Sequence, residues 1–463
     1  MLKTAIAFED ITPGESVPLM GYGDRTHNSE GVHDHLFAYA WWLEPSGQEP
    51  LVWIVLDLCL FSVASAGRLA QDIAKRSGIL PGRIFISTTH THSGPDTQFI
   101  STDRAPWAKR YYRLLVESCA RAVGSARGRA FPATVAVRTG SSDLGVNRRD
   151  EGSPIDPRAV ILSLIDEAGK ERGFLFHYSC HLTVLGVDNY QISADWLAAV
   201  RDRLQKDLGV PVMYLQGAEG NVDPVSRGAL DMADPDQAVG SSFAVLEGLA
   251  GGMIAALMQA RSSEIRATLD DSAVEKRMLS LPLRYGGLSP EQMQDKVEQW
   301  KEKFAEFLKT SKEEIPEDWS INALIKERAR KKGLGEAETR KWVAEQFTYV
   351  SFLNIYKKGG EAIDSGKGEI HCRIAVVDFG PVTFLGAPME VLLDVALDWQ
   401  RRFPDRIALV CGLFGGWIGY LPHKRNYEEP QADQLYETVS TMFAPDASLE
   451  LLETAQGMVG KVD

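Results

Sequence analysis

Short apolar, β-branched runs alternate with amphipathic helical stretches, and this alternation constrains the fold more than any other feature of the chain. Leu51–Leu58, Arg83–Thr88, Phe174–Tyr178, Val212–Leu215, Arg373–Phe379, Val382–Leu385 and Ile407–Val410 read as buried strands. Ser65–Ser77 and Pro106–Val123 read as helices. Asp195 is placed to cap a further helix bearing Trp196, Leu197, Val200, Leu204 and Leu208, with Gly209 just past its end. Strands interleaved with helices predict an α/β domain, with one or more mixed sheets flanked by helices. The expectation is a single domain over 1–463.

One stretch breaks the pattern. Residues 288–348 are dense in Lys and Glu and open on Ser289-Pro290-Glu291-Gln292, a helix start with a cap and a proline in the first turn. Met293, Val297, Trp300, Phe304 and Phe307 follow at helical spacing. The β-rich pattern returns after residue 370, so the segment reads as a helical insertion. It is either a solvated appendage or a lid over the functional site.

The 463 residues carry a formal net charge of -13, which argues against a nucleic-acid partner. The odd count of five cysteines, most of them in apolar runs, suits buried free thiols in a reducing compartment. Met1–Pro13 lacks the apolar region of a signal peptide, and no run of about 18 apolar residues stands out. A cytoplasmic protein with no membrane partner is therefore expected.

Five polar motifs follow directly on predicted strands. They are Thr89-His90-Thr91-His92-Ser93-Gly94-Pro95, His177-Tyr178-Ser179-Cys180-His181, Gln216-Gly217-Ala218-Glu219-Gly220-Asn221-Val222-Asp223-Pro224, Gly386-Ala387-Pro388-Met389-Glu390, and Gly415-Gly416-Trp417-Ile418-Gly419-Tyr420. Each has an ordinary structural explanation by itself. In extended backbone the two histidines of His-x-His point to one side. His181 suits a hydrogen-bonded core position, Asp223 a turn, Glu390 the first turn of a helix, and Tyr420 a packing aromatic. Their shared position is more telling, because the carboxyl ends of strands form the ligand crevice of α/β sheets. Gathered there, His90, His181, Glu390 and Tyr420 offer two imidazoles, a carboxylate and a further oxygen, a set that suits zinc with one position left open.

At these residues the chain resembles the neutral ceramidase family, zinc amidases that cleave N-acyl-sphingosines. The resemblance begins at Asp10-Ile11-Thr12-Pro13 and Pro18-Leu19-Met20-Gly21-Tyr22 and runs through His33-Asp34-His35-Leu36, His90-Thr91-His92-Ser93-Gly94-Pro95 and Asn147-Arg148-Arg149. It continues at His181, Gly220-Asn221-Val222-Asp223-Pro224, Pro388-Met389-Glu390, Gly419-Tyr420 and Tyr436. The resemblance implies His90, His181, Glu390 and Tyr420 as zinc ligands. It also implies His92 as a neighbouring or substrate-contacting histidine, Arg148 as an active-site arginine, and Tyr436 as a tyrosine that helps hold the oxyanion.

Two departures bear on function. Asp223 stands where the family carries a serine, and it is expected to act as general base toward a metal-activated water. The family's C-terminal immunoglobulin-like domain is also absent from the expected organisation. The resulting expectation is a zinc-dependent amidohydrolase acting on an N-acyl bond of a small soluble molecule. An ester or lactone hydrolase, and a metal-bearing binding protein without catalysis, remain as alternatives.

Overall fold

The computed structural model of the chain describes residues 2–22, 25–97, 106–149, 153–226, 242–269, 273–282, 363–364, 369–430 and 432–460, with isolated positions between 295 and 342. The insertion expected at 288–348, and its role as a lid, fall almost wholly outside the described residues.

Three larger sheets form among the described residues, one from each successive part of the chain. The first runs, in spatial order, Ile84–Thr88, Leu51–Leu56, Phe37–Glu44, Lys3–Asp10 and Phe131–Pro132. The second runs Val212–Gln216, Glu171–Tyr178, Arg158–Ile165, Thr134–Ser141 and Ala267–Thr268. The third has Ala273–Pro282, Glu369–Asp378, Val382–Gly386 and Ile407–Cys411 in order, with Ile363–Asp364 beside Glu369–Asp378.

The same local topology recurs in all three. Antiparallel strands lead into one parallel pair at the sheet edge: Leu51–Leu56 with Ile84–Thr88, Glu171–Tyr178 with Val212–Gln216, and Val382–Gly386 with Ile407–Cys411. Each pair is joined by a crossover helix, respectively Val63–Ser77, Trp196–Leu208 and Leu393–Arg401. A parallel pair requires such a crossover, and the connection brings both carboxyl ends to one side. The sequence shows no repeat, yet the architecture has one.

The sheets share a core. Trp41 and Trp53 from the first, Leu162 and Leu175 from the second, and Val377 and Phe384 from the third belong to one buried cluster. The rings of Trp53 and Phe384 lie 5.7 Å apart at 81°, an edge-to-face contact across two sheets. The indole N–H groups stay satisfied, Trp41 donating to Thr4 Oγ1 and Trp53 to Ser87 Oγ, each at 2.9 Å. The helices cover the outer faces. The mixed α/β class expected from the sequence is the class observed.

Local expectations fare unevenly. The predicted strands appear with ends shifted by a few residues, and Asp195 does cap its helix, with Gly209 left-handed at the other end. Glu390, however, does not lie in a helical turn. Glu390–Val391 forms a short strand paired in parallel with Tyr420–Leu421, and the helix begins only at Leu393. The strands Lys3–Asp10, Phe37–Glu44, Thr134–Ser141 and Arg158–Ile165 were not foreseen. The helix Phe243–Arg261 corrects the view that no stretch reaches membrane-spanning length, since it is long and apolar enough by composition. In the fold it buries Leu246, Ala250, Met253, Leu257 and Ala260 in the core that also holds the helix Trp196–Leu208.

Candidate active site

The loops after the three parallel pairs converge. His90 follows Ile84–Thr88, and its backbone takes a positive φ of 68°. This departs from the extended segment expected for His-x-His. The twist is held by His90 N donating to Leu58 O at 3.0 Å. His92 still reaches the same place, with its Nε2 3.3 Å from Nε2 of His90. Gly21 is needed for this, because a Cβ there would sit 2.3 Å from Cγ of His92. His181 follows Glu171–Tyr178, and its amide donates to Val222 O at 2.8 Å. Gly220 lets the loop after Val212–Gln216 press against Glu390 and Val391, whose carbonyls would lie 2.9 Å from an added Cβ.

His90, His181 and Glu390 each contribute one ligand atom, and these atoms lie within 4.8 Å of one another. Glu390 Oε2 is 3.3 Å from His90 Nε2 and 3.4 Å from His181 Nε2. The opposite nitrogens face backbone carbonyls, His90 Nδ1 at 2.9 Å from Cys59 O and His181 Nδ1 at 3.1 Å from Val222 O. Each Nδ1–H donating outward leaves the Nε2 lone pair pointing inward, the arrangement that fixes metal-ligating histidines. All three residues are buried, yet His181 Nε2 and Glu390 Oε2 make no hydrogen bond. Unsatisfied buried acceptors are costly, and a cation among them removes that cost. The residues therefore fit a metal ion.

Tyr420 stands beside Glu390 in the short parallel pairing, and Glu390 N donates to Gly419 O at 3.0 Å. The Tyr420 hydroxyl lies 3.5 Å from Arg148 Nη2, and its ring packs 5.5 Å from that of Tyr436 at 76°. Arg148 is buried and donates to Glu437 Oε1 at 2.7 Å, to Gly220 O at 2.9 Å and to Asp223 Oδ1 at 3.3 Å. Asp223 also accepts from Thr183 Oγ1 at 3.4 Å, and its Oδ1 lies 3.6 Å from His181 Nδ1. Asp223 thus stands on the Nδ1 side of His181. All eight residues singled out from the sequence come together through these contacts.

Residues 5–211 match the family model described as neutral/alkaline non-lysosomal ceramidase, N-terminal. The match covers somewhat under half of the chain, and it is to that family's N-terminal part. A neutral ceramidase of Oryza sativa subsp. japonica is 25% identical over 240 residues, covering 46% of this chain and 30% of that protein. Neutral ceramidase B of Dictyostelium discoideum is 23% identical over 250 residues, 47% of this chain and 35% of its own length. The matches thus span about a third of these curated relatives. The crystal structure of neutral ceramidase from Pseudomonas aeruginosa shares the fold, with a TM-score of 0.69 at 18% identity, over 99% of this chain and 74% of that one. The family match contains His90, His92, Arg148 and His181. Asp223, Glu390, Tyr420 and Tyr436 lie beyond it, and the fold brings them to the ceramidase-like half.

Four site-bearing residues escaped the sequence reading. Glu437, one residue after Tyr436, accepts from Arg148 and Arg149, each at 2.7 Å. Trp417 Nε1 donates to Glu390 Oε1 at 2.7 Å. Cys59 orients His90 through its carbonyl, a backbone role without a sequence signature. Glu219 sits inside the Gln216–Pro224 motif with no role marked by the sequence. It is fully buried, and burial pushes its carboxyl up to about 8. Gln216 lies beside it.

Proposed function

We propose that this chain is a zinc-dependent amidohydrolase that cleaves an N-acyl bond of a small soluble amine. The observation that carries the reading is the inward-facing set of His90 Nε2, His181 Nε2 and Glu390 Oε2, buried and without donors between them. Two imidazoles, one carboxylate and the neighbouring Tyr420 phenol suit zinc better than hard cations, which prefer all-oxygen sites. Bound there, zinc supplies a Lewis acid that polarises the scissile carbonyl and acidifies water.

The chain's own residues do the rest. His90 and His181 hold their rings by outward hydrogen bonds, so the site is preorganised. His92 and Tyr436 are assigned to stabilising the negative charge that the carbonyl oxygen gains, and Arg148 to holding Asp223. Asp223 is assigned the proton that water loses as oxygen bonds to the acyl carbon, and because it stands on the Nδ1 side of His181 that proton reaches it by relay and not directly from the Nε2 side. That proton passes to the nitrogen as the C–N bond breaks, giving a carboxylic acid and an amine. Asp223 is itself oriented by Arg148 and Thr183. Its charge beside the reacting bond favours a polar leaving amine over a long apolar one.

The test is turnover by the metal-loaded chain of a panel of short N-acyl amines, the matching esters, and N-acyl-sphingosine in detergent. The same panel is run on Asp223→Asn. Short N-acyl amines should be turned over fastest, and the variant should lose on the order of 10² to 10⁴ in rate if Asp223 moves the proton. Faster turnover of N-acyl-sphingosine overturns the substrate class. Faster ester cleavage overturns the amide assignment, and no turnover at all overturns the enzyme. A loss below about tenfold in the variant leaves Asp223 an orienting role alone.

A further inference from the structure

We infer that Trp417 is a positioning residue that makes Glu390 a one-oxygen metal ligand, and so sets how tightly and with what geometry the site holds its ion. The inference rests on the metal-site reading above and deepens it. A glutamate carboxylate turns readily about its last torsion, which is broad. Something must therefore decide whether one oxygen or both face the ion. Here the indole Nε1–H of Trp417 donates to Oε1 of Glu390 at 2.7 Å, while Oε2 alone lies between His90 and His181. The hydrogen bond is to a charged acceptor, the stronger kind, and it is shielded because Glu390 is buried.

The donor is also well anchored. Gly416, with φ of 131°, packs so closely on Val63 that an added Cβ would meet its Cα at 2.6 Å. Trp417 bridges to Ser62, and the flanking amides of Gly415 and Ile418 donate to Ile86 O at 2.7 Å and Pro388 O at 2.8 Å. The loop carrying the indole is thus tied both to the strand end that bears His90 and to the loop that bears Glu390. Sequence placed Trp417 among glycines and gave it no role, since nothing local marks an indole aimed at a carboxylate 27 residues away.

With Oε1 engaged, Glu390 coordinates through Oε2, which favours the small four-coordinate sphere that zinc adopts. Without the indole N–H, the carboxylate can offer both oxygens, which suits ions that accept more oxygen ligands. The experiment compares the full chain with Trp417→Phe, which keeps the ring and loses the donor, and with Trp417→His, which restores an N–H. Zinc affinity is read by chelator competition, and cobalt-loaded protein is read by its visible spectrum. Phe should weaken zinc binding about 10- to 100-fold and shift the cobalt spectrum toward higher coordination, and His should recover part of both. Thermal unfolding of the metal-free forms separates a folding defect, which would lower stability without changing the cobalt spectrum. Equal zinc affinity and an unchanged spectrum in Phe overturn the inference. Failure of the unsubstituted chain to bind zinc overturns instead the metal-site reading on which it rests.

Discussion

Two buried polar clusters lie side by side in this molecule and are built on opposite principles. In the first, His90, His181 and Glu390 turn their inner atoms toward one another, and two of those atoms make no hydrogen bond. In the second, Arg148 and Arg149 meet Glu437, Glu429 and Asp223 in ion pairs between 2.7 and 3.3 Å. Both arginines and Glu437 are buried. In the second cluster each charge faces an opposite charge, whereas the first gains that only with a cation. A closed ion-pair network is part of the fold, whereas an open set of convergent donors is a binding site. Their adjacency ties the two, because Asp223 lies 3.3 Å from Arg148 Nη1 and 3.6 Å from His181 Nδ1.

The comparison breaks most sharply on removal of His181. His181→Ala should lower bound metal from one ion per chain to almost none and abolish turnover. The metal-free chain should keep its cooperative unfolding at somewhat lower stability, because the substitution removes the buried ring and its Nδ1 bond to Val222 O while Nε2 had no partner. Metal analysis and calorimetry of the stripped protein read the two effects, and full retention of metal would remove His181 from the ligand set. The next largest effect lies in the closed cluster. Arg148→Met leaves Glu437 with one arginine and Asp223 with none, and breaking a buried pair by deleting one partner costs about 3–5 kcal/mol. The variant should unfold at lower denaturant while still binding zinc. Unchanged stability would mean that Arg148 serves chemistry alone.

The same contrast explains what sequence could and could not disclose. The convergence of His90, His181, Glu390 and Tyr420 was legible because each follows a strand whose apolar run is plain, and because strand ends gather ligands. The parallel pairs were legible for the same reason. Of the antiparallel strands only Arg373–Phe379 was. Lys3–Asp10 and Phe37–Glu44 lack clean alternation because both faces are buried, one by the core that the three sheets share and the other by the cluster under the helices. The positive φ of His90 also escaped, since only contacts from Leu58 and the loop around it impose it. The closed cluster was half visible. Arg148 stood in a recognisable motif, but Glu437 lies 289 residues further along with no local mark of its partner. Pairing across that separation is a property of the fold.

Glu219 sharpens the comparison because it belongs to neither cluster. It is buried and forms no ion pair among the described residues, and burial raises its carboxyl to about 8. The folded chain therefore keeps a proton at Glu219 near neutral pH, while the unfolded chain, at the ordinary value of 4.5, has lost it. Stability changes with pH as the difference in bound protons between the unfolded and folded states, which is negative here. The contribution is thus fully present below about 4.5 and is lost as pH rises toward about 8, at up to about 1.4 kcal/mol per pH unit. Glu219→Gln mimics the neutral acid at every pH. In metal-free protein the two forms should be equally stable at pH 4, and the glutamine form should gain relative to the parent through pH 7. Denaturant titrations of both at several pH values measure the difference directly, cancelling the other titrating groups. A difference that stays flat across that window would mean that Glu219 is ionised in the folded chain, and that a cation or donor satisfies it after all.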